Sequence, residues 1–196
     1  HIQCVFDYFH IKKNLNEKVI SEIRKDEQAR LKREGKDEEA KKLKKTKFIL
    51  TSSRSTLEKK DSKNGTATLA KYESLLKENE LLCVADIVKE KLTYAYTLSC
   101  ECTMAAEITD IIDICNSTKN KHFVWFARLL ENHFEGIIAH ATFRVSSGKV
   151  EGMNNKIKTI RRQGYGYPDD DYFFLKIFDA SRETYVRNPK SHKIRD

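Results

Sequence analysis

The sequence has no apolar run of eighteen residues, and no basic segment followed by an apolar stretch stands at its start. A helix that crosses a bilayer needs about 20 mostly apolar residues, so we expect no membrane span. We also expect no secretory leader. Because residue 1 is histidine rather than methionine, we expect the chain to be part of a longer protein.

Cysteine is present, but no zinc-ligand pattern accompanies it. The five cysteines are odd in number, and no second pair or histidine cluster stands near Cys100 and Cys102 at zinc spacing. Most of them lie among apolar residues, which favours free buried thiols in a reducing cytoplasm. Metal binding at the C-x-C pair is the less favoured alternative.

Charge is abundant in this chain of 196 residues. Charged residues make up 34% and hydrophobic residues 39%, with a net charge of +8. The length allows a sizeable core, while much of the surface must consist of solvated helices. The positive balance favours an anionic partner such as nucleic acid, although many basic proteins bind none.

The N-terminal pattern changes from strand-like to helical. Residues 2–6 are apolar with β-branched and aromatic members, which predicts a buried strand. From Asp7 to about Arg33 there is no glycine or proline, and Leu15, Val19 and Ile23 recur at four-residue spacing. A strand that leads into a basic helix is typical of an α/β protein.

The middle of the chain predicts a set of packed helices. After Gly35, residues 36–47 are rich in lysine and acids, which indicates a solvated helical hairpin or an arm that orders on binding. Apolar spacings of three and four then predict further amphipathic helices, the last of them continuous from Phe123 to Ala141. We expect their aromatic residues, Trp125 included, to lie in the core.

Residues 146–167 predict a helix with two different faces. Its apolar side carries Val150, Met153, Ile157 and Ile160, and its polar side carries Glu151, Asn154, Asn155, Lys158, Arg161 and Arg162. Such a polar side suits a phosphate backbone, with a metal ion at the carboxylate. Alternatively, Glu151 is only a favourable charge near the helix dipole.

The last predicted helix follows a turn that is rich in glycine. Gly164 and Gly166 suit a helix C-terminus, and Pro168 with the acids that follow suits a helix start. Phe173, Phe174, Ile177 and Phe178 are its expected buried side. Beyond about Thr184 we expect a frayed basic tail.

Asp7 and His10 form a D-x-x-H pair at the end of the predicted strand. This pair is a candidate catalytic element. Two ordinary structural roles also fit it, because Asp7 can cap a helix and His10 can be a core histidine that the backbone satisfies.

Two ordered motifs resemble a known family. Residues 5–16, VFDYFHIKKNLN, are similar to a D-x-F-H-hydrophobic-x-K-x-L-N segment, and residues 147–158, SGKVEGMNNKIK, contain an E-G-x-N-N-x-I-K signature. Both resemble the C-terminal part of the bacterial DDE transposases of the ISL-three insertion-sequence family. About forty-five residues carry specific matches, and the helical middle agrees only in length and character.

The resemblance implies a mainly α chain that forms the C-terminal fragment of an α/β ribonuclease-H-like catalytic domain. The implied regions are residues 1–16 as a strand and helix start of the core, 17–145 as an all-helical insertion, 146–182 as C-terminal core helices and 183–196 as a tail. The implied protein is cytoplasmic, associated with the bacterial nucleoid and a homo-oligomer at full length. Its implied partner is double-stranded DNA.

The resemblance also implies catalytic roles for individual residues. Glu151 matches the glutamate of a DDE triad that holds two Mg²⁺ ions, and Asp7 and His10 match the D-x-x-H element. Whether Asp7 is itself the second catalytic aspartate, or whether that residue lies upstream, stays open. Lys156, Lys158, Arg161, Arg162, Asn154 and Asn155 are the DNA-binding candidates, with the two asparagines alternatively orienting Glu151.

The sequence departs from a complete enzyme, since no segment apart from residues 2–6 could supply a strand of the ribonuclease-H-like sheet. No candidate for the first catalytic aspartate precedes Asp7, so we expect the isolated chain to be unable to cleave or join DNA. Two other functions stay open: a non-catalytic DNA-binding protein derived from a truncated transposase, and a helical oligomerisation module built on the charged residues 20–60.

Overall fold

The computed structural model describes residues 4–144 and 148–182, in two compact units, His1–Val145 and Ser146–Asp196. The described part of both units is helical and contains no strand. The prediction of a strand is therefore wrong for residues 4–6, while residues 2 and 3 lie outside the described residues. The physical reason is the partner of this segment: the amide of Phe6 donates to the carbonyl oxygen of Gly136 at 2.9 Å, in a helix rather than in a neighbouring strand.

The first unit is a succession of helices. They are α1 (Tyr8–Asn14), a π-helical turn (Leu15–Ile20), α2 (Ser21–Arg33), α3 (Asp37–Lys42), α4 (Lys47–Thr51), α5 (Arg54–Asn64), α6 (Thr68–Glu78), α7 (Glu80–Ala95), α8 (Glu101–Ser117), α9 (Lys121–Asn132), α10 (Phe134–Ile138) and α11 (His140–Phe143). The predicted boundary between residues 16 and 17 falls inside the π-helical turn.

The helical run from Tyr8 to Arg33 lies at the centre of the first unit. Leu15, Val19, Ile20 and Ile23 are buried, as their spacing predicts. The π-helical turn contacts α2, α4, α7 and α9. At its end the amide of Ser21 bonds to the carbonyl of Asn16, five residues back, which is the wider hydrogen-bond pattern of a π-helix.

The charged segment after Gly35 forms a hairpin against α2, which confirms the helical interpretation. Gly35 has a φ of +73°, a value that glycine adopts without strain, and it ends α2. Ala40 and Leu43 are buried, and the carbonyl of Ala40 accepts from the side chain of Gln28 at 3.1 Å. The acids and lysines of α3 stay in solvent.

The predicted helices of the middle region are confirmed, with one difference. α8 packs between α7 and α9, and Asn79 is the N-cap of α7, with its side chain accepting from the amide of Leu82 at 3.0 Å. The prediction of one continuous helix over residues 123–141 is wrong, because His133 leaves the helical conformation (φ −118°, ψ 15°) and separates α9 from α10.

Two predictions about burial are wrong in part. Phe123 and Phe126 are fully buried, but Trp125 lies between them on the outward side of α9 and is exposed. All five cysteines are free, yet only Cys115 is buried, which raises the pKa of its thiol to about 12. The other four thiols are exposed, since an apolar neighbour in sequence points to a different side of a helix.

A buried ionic cluster joins α4, α6 and α7. The ammonium of Lys89, which is 2% exposed, lies 3.1 Å from a carboxylate oxygen of Asp86, 2.5 Å from the hydroxyl of Tyr72 and 3.0 Å from the carbonyl of Ser52. Arg54 adds a hydrogen bond to Asp86 at 2.7 Å. This cluster fixes the C-terminal end of α4 to α7.

Burial acts on the pKa values of both Asp86 and Lys89. Burial disfavours the carboxylate of Asp86, but the hydrogen bond from Tyr72 and the charge of Lys89 outweigh it, so the pKa of Asp86 lies below its ordinary value. Burial lowers the pKa of Lys89, against the opposing attraction of Asp86. The cluster therefore persists only because each charge has its partner.

In residues 148–182 the second unit forms two packed helices, α12 (Gly148–Gln163) and α13 (Asp170–Arg182). Between them Tyr167 stacks on Phe173, with ring centroids 5.0 Å apart, and a Cβ atom at Gly164 would lie 2.5 Å from the Tyr167 ring. The side chain of Asp169 accepts from the amides of Asp171 and Tyr172, which starts α13 as predicted.

The predicted buried side of α13 is only half correct. Phe173 and Ile177 are half-buried, while Phe174 and Phe178 are exposed. Within the described part of this unit α13 packs on α12. A single neighbouring helix covers only a narrow side of α13, so the rest of its apolar face stays exposed. The predicted tail at residues 183–196 lies outside the described residues.

No helix in the described part of the chain is long and apolar enough to cross a membrane.

We predict that Gly136→Ala destabilises the first unit. The added Cβ would lie 2.6 Å from the Phe6 ring and 3.0 Å from the carbonyl oxygen of Cys4, and overpacking of this kind costs about 1–3 kcal/mol. Chemical denaturation of the chain measures the loss. Phe6→Leu in the same background should recover part of it.

Gly152→Ala is the matched control, since nothing lies within 4 Å of a Cβ atom at Gly152 and the added methyl group favours helix. Equal unfolding free energies for Gly136→Ala and Gly152→Ala would contradict the close packing at Gly136.

We predict that Lys89→Met lowers the free energy of unfolding by up to about 3 kcal/mol, because it removes the buried cation of the cluster and leaves the buried carboxylate of Asp86 with the more exposed Arg54 as its remaining ion-pair partner. Adding Asp86→Leu to Lys89→Met should restore most of the stability, since the buried carboxylate that lost a partner is then gone. A double-mutant cycle in urea measures both. Additive losses would show that the two charges are not coupled.

Candidate active site

Asp7 is the N-cap of α1. Its carboxylate accepts a hydrogen bond from the amide of Phe9 at 3.0 Å, and its backbone is extended (φ −71°, ψ 142°). The capping role that the sequence allowed is therefore confirmed. The carboxylate is fixed at the start of the long helical run, in a half-buried position.

Residues from distant parts of the chain hold the segment that carries Asp7. The amide of Phe6 bonds to Gly136, and the hydroxyl of Tyr96 donates to the carbonyl of Phe6 at 3.4 Å. One residue after Asp7, the hydroxyl of Tyr8 lies 2.8 Å from that of Thr93. The Asp7 carboxylate is thus positioned by α7 and α10 as well as by α1.

The pKa of Tyr96 also responds to the charge of Asp7. Burial is the main cause that raises the pKa of Tyr96, and the negative charge of Asp7 adds to it. The phenol therefore stays protonated and can keep its hydrogen bond to Phe6.

His10 lies at the surface, which shows that the core-histidine interpretation is wrong. Its ring meets the edge of the Phe9 ring, with centroids 5.6 Å apart. Because His10 follows Asp7 by three residues at the start of a helix, both lie on one side of that helix end. The D-x-x-H pair thus consists of a half-buried carboxylate at the N-cap of α1 and an exposed imidazole in its first turn.

Glu151 lies in the first turn of α12 and is exposed. The predicted polar side of the helix is in solvent throughout: Asn154, Asn155, Lys158, Arg161 and Arg162 are all exposed. On the other side, Ile157 and Ile160 are half-buried, while Met153 is exposed and the side chain of Val150 lies outside the described part. The two-faced character of the helix is therefore confirmed at Ile157 and Ile160 and is wrong at Met153.

The cations of α12 differ in their contacts. Lys156 donates a hydrogen bond to the carbonyl of Ala180 in α13, so its ammonium ties the two helices together. Lys158, Arg161 and Arg162 have no carboxylate within ion-pair distance in residues 4–144 and 148–182. These three exposed cations of α12 are available to an anion.

The carboxylates have suitable chemistry for Mg²⁺, which prefers oxygen ligands, but they do not form a complete site. Among the described residues there is no group of three or more histidine, cysteine, aspartate or glutamate side chains that could hold a metal ion. Asp7 and Glu151 belong to separate units, and their meeting in one site stays a prediction.

The residues that position Asp7 were not identified from the sequence. Tyr96, Thr93 and Gly136 lie 85 to 130 positions from the residues that they hold. Gly136 carried a signal, since an isolated glycine within an apolar helical pattern often marks a close approach of another backbone. Tyr96 and Thr93 carried none.

Comparison with known proteins gives one family. Residues 1–177 match the family model of the ISL3 DDE transposases, described as "Transposase" and called ISL-three above. The chain is 26% identical over 176 residues to the transposase for insertion sequence element IS1001 of Bordetella parapertussis. That match covers 89% of this chain and 41% of the relative, and no solved structure matches.

The match extends through both units, from the Asp7 segment to the middle of α13, and includes every candidate catalytic residue. The chain therefore belongs to the ISL3 family of transposases.

Proposed function

We propose that this chain supplies part of the catalytic domain of a DNA transposase that cleaves and transfers strands at insertion-sequence ends. The observation that carries the proposal is the exposed side of α12, where Glu151 stands beside three cations that have no carboxylate partner among the described residues. The family and the relative's name support the same function. The chain spans 41% of that relative's length, so the activity of the whole protein belongs to the proposal.

The cations of α12 suit DNA for an electrostatic reason. Lys158 and Arg162 lie four residues apart, about one helical turn, and Arg161 lies beside them. Lysine and arginine that neutralise phosphates release condensed counterions, and such contacts position DNA without reading its sequence. We propose that this row holds the strand whose phosphodiester reacts near Glu151.

Asp7 and Glu151 are the proposed catalytic carboxylates, and His10 is the proposed third catalytic residue. When bound, two Mg²⁺ ions would supply nucleophile activation and charge stabilisation for the displacement at phosphorus. The described residues do not complete a ligand set for them. For this reason we infer that the isolated chain neither nicks nor joins DNA.

A second function is favoured by the exposed cations of α12 and by the incomplete set of carboxylates. Exposed cations on α12, with no cluster of carboxylates in the described residues, also fit a non-catalytic protein that binds transposon ends. The two functions differ in one measurable property, which is the requirement for the Glu151 carboxylate during strand cleavage.

We predict that Glu151→Gln in the intact transposase reduces Mg²⁺-dependent cleavage of transposon-end DNA by at least roughly 100-fold, more than the loss of an outer-shell partner. DNA affinity should change little, since the amide keeps the size of the side chain. Cleavage is measured on labelled duplex ends, with the isolated chain in parallel, which should yield no product.

The matched control is Asp170→Asn, which removes an exposed acid from the first turn of the neighbouring helix. If both substitutions leave cleavage intact, Glu151 is only a charge at a helix start. Cleavage by the isolated chain would show that its residues suffice for the reaction.

We predict that Lys158→Ala and Arg162→Ala in the intact protein weaken binding to duplex DNA. Each loss of a phosphate contact should lower the slope of log affinity against log salt concentration by about 0.9. Fluorescence anisotropy over a salt series measures the slope. Lys156→Ala is the control, since its ammonium bonds to Ala180, and an equal change of slope for all three would remove the special role of the exposed pair.

A further inference from the structure

A groove runs along the outer side of the long N-terminal helical run, next to α4. It has a volume of about 500 Å³ and is lined by Tyr8, Phe9, Lys12, Lys13, Asn16, Glu17, Lys47 and Thr51. None of these residues belongs to α12, and all of them lie in the first unit.

Helical geometry explains why these side chains converge. Phe9, Lys12, Lys13 and Asn16 follow the i, i+3, i+4, i+7 spacing of one helix face. Ile11 and Leu15 are buried in the core, which turns that face outward. Lys47 and Thr51, one turn apart on α4, form the opposite wall.

The groove is positively charged. It contains three lysines and one acid, Glu17. In the part of the chain that the structure describes, Lys12, Lys13 and Lys47 have no carboxylate within ion-pair distance, whereas Lys42 is paired with Glu78. The three ammonium groups are therefore available to an anion.

An aromatic ring stands among these charges. Phe9 is 50% exposed, which leaves apolar ring surface in water. The Tyr8 ring is already covered by the ammonium of Lys12, 5.1 Å from its centroid. Phe9 thus offers an aromatic surface for a flat apolar group.

We propose that this groove binds single-stranded DNA, with a base stacked on Phe9 and the phosphates on either side bound by Lys12, Lys13 and Lys47. Rows of cations that follow a backbone, with an aromatic platform between them, are the usual basis of single-strand binding, because every base has a stacking face. A paired duplex hides those faces inside its stack. The proposal rests on the proposed function, since it takes DNA as the ligand class.

The test uses the 196-residue chain and a short oligonucleotide that carries 2-aminopurine, whose fluorescence falls when the base stacks. Single-stranded and duplex forms are titrated separately. Phe9→Leu should weaken single-strand binding by about 5- to 100-fold and abolish the quenching, while Phe9→Trp retains both. The triple variant Lys12→Gln, Lys13→Gln, Lys47→Gln should lower the single-strand salt slope by about 2.

Matched controls exist on the same chain. Phe143→Leu removes a ring that is 52% exposed but does not line the groove. Lys32→Gln removes an exposed lysine about 30 Å from Lys12 along the helical run, at 1.5 Å per residue. Circular dichroism confirms that each variant keeps its helices, and both controls should bind like the unchanged chain.

The outcomes separate the two proposals. If groove variants bind single strands like the unchanged chain, or if polyglutamate competes as well as an oligonucleotide of equal charge, the groove proposal is overturned. Duplex binding that still depends on Lys158 would then leave the proposed function standing. If the unchanged chain binds duplex but no single strand, the groove alone fails, and if it binds neither form, both proposals lose their support.

Discussion

Burial of one face of the helical run from Tyr8 to Arg33 is the constraint on which the first unit depends. Leu15, Val19, Ile20 and Ile23 contribute that face, and the π-helical turn brings it against α4, α7 and α9. At roughly 25 cal/mol for each Å² of apolar surface removed from water, such side chains contribute about 1.5–3 kcal/mol each. No surface ion pair in the unit compares with that contribution.

The same burial decides where the polar residues of the run lie. With one side of the helix fixed inward, Phe9, Lys12 and Lys13 must face outward, and Asp7 must lie at the exposed start of α1. The Asp7 carboxylate caps the helix that it starts, which fixes the orientation of a side chain that we propose as catalytic. If that proposal holds, the residue has both a structural and a chemical role.

Local features were predictable from the sequence, and long-range ones were not. The breaks at Gly35 and Gly164, the start of α13 and the two faces of α12 follow from residue type and spacing alone. The strand at residues 2–6 was predicted from composition, but a strand exists only with a paired neighbour, and the described part of the segment pairs with Gly136 in a helix. The break at His133 has no glycine or proline to announce it.

The burial of the ionic cluster also depends on long-range contacts and could not be predicted from the sequence. Lys89 and Asp86 are spaced like an ordinary surface pair on a helix, at i and i+3, and only the surrounding α4 and α6 make them a buried one. Among the site residues, Glu151 and the exposed cations could be chosen from periodicity. Lys156 could not be separated from them, because its partner Ala180 lies in another helix.

The contact between Phe6 and Gly136 has a consequence for the order in which the protein is made. The residues around Asp7 leave the ribosome before α10 does, and the glycine whose carbonyl accepts the amide of Phe6 is 130 positions later in the chain. The closing of so long a loop costs entropy that only the finished helices can repay. A nascent chain that ends before α10 therefore contains Asp7 but lacks Gly136, which accepts the amide of Phe6. The geometry around Asp7 can form only when the chain has been synthesised through α10.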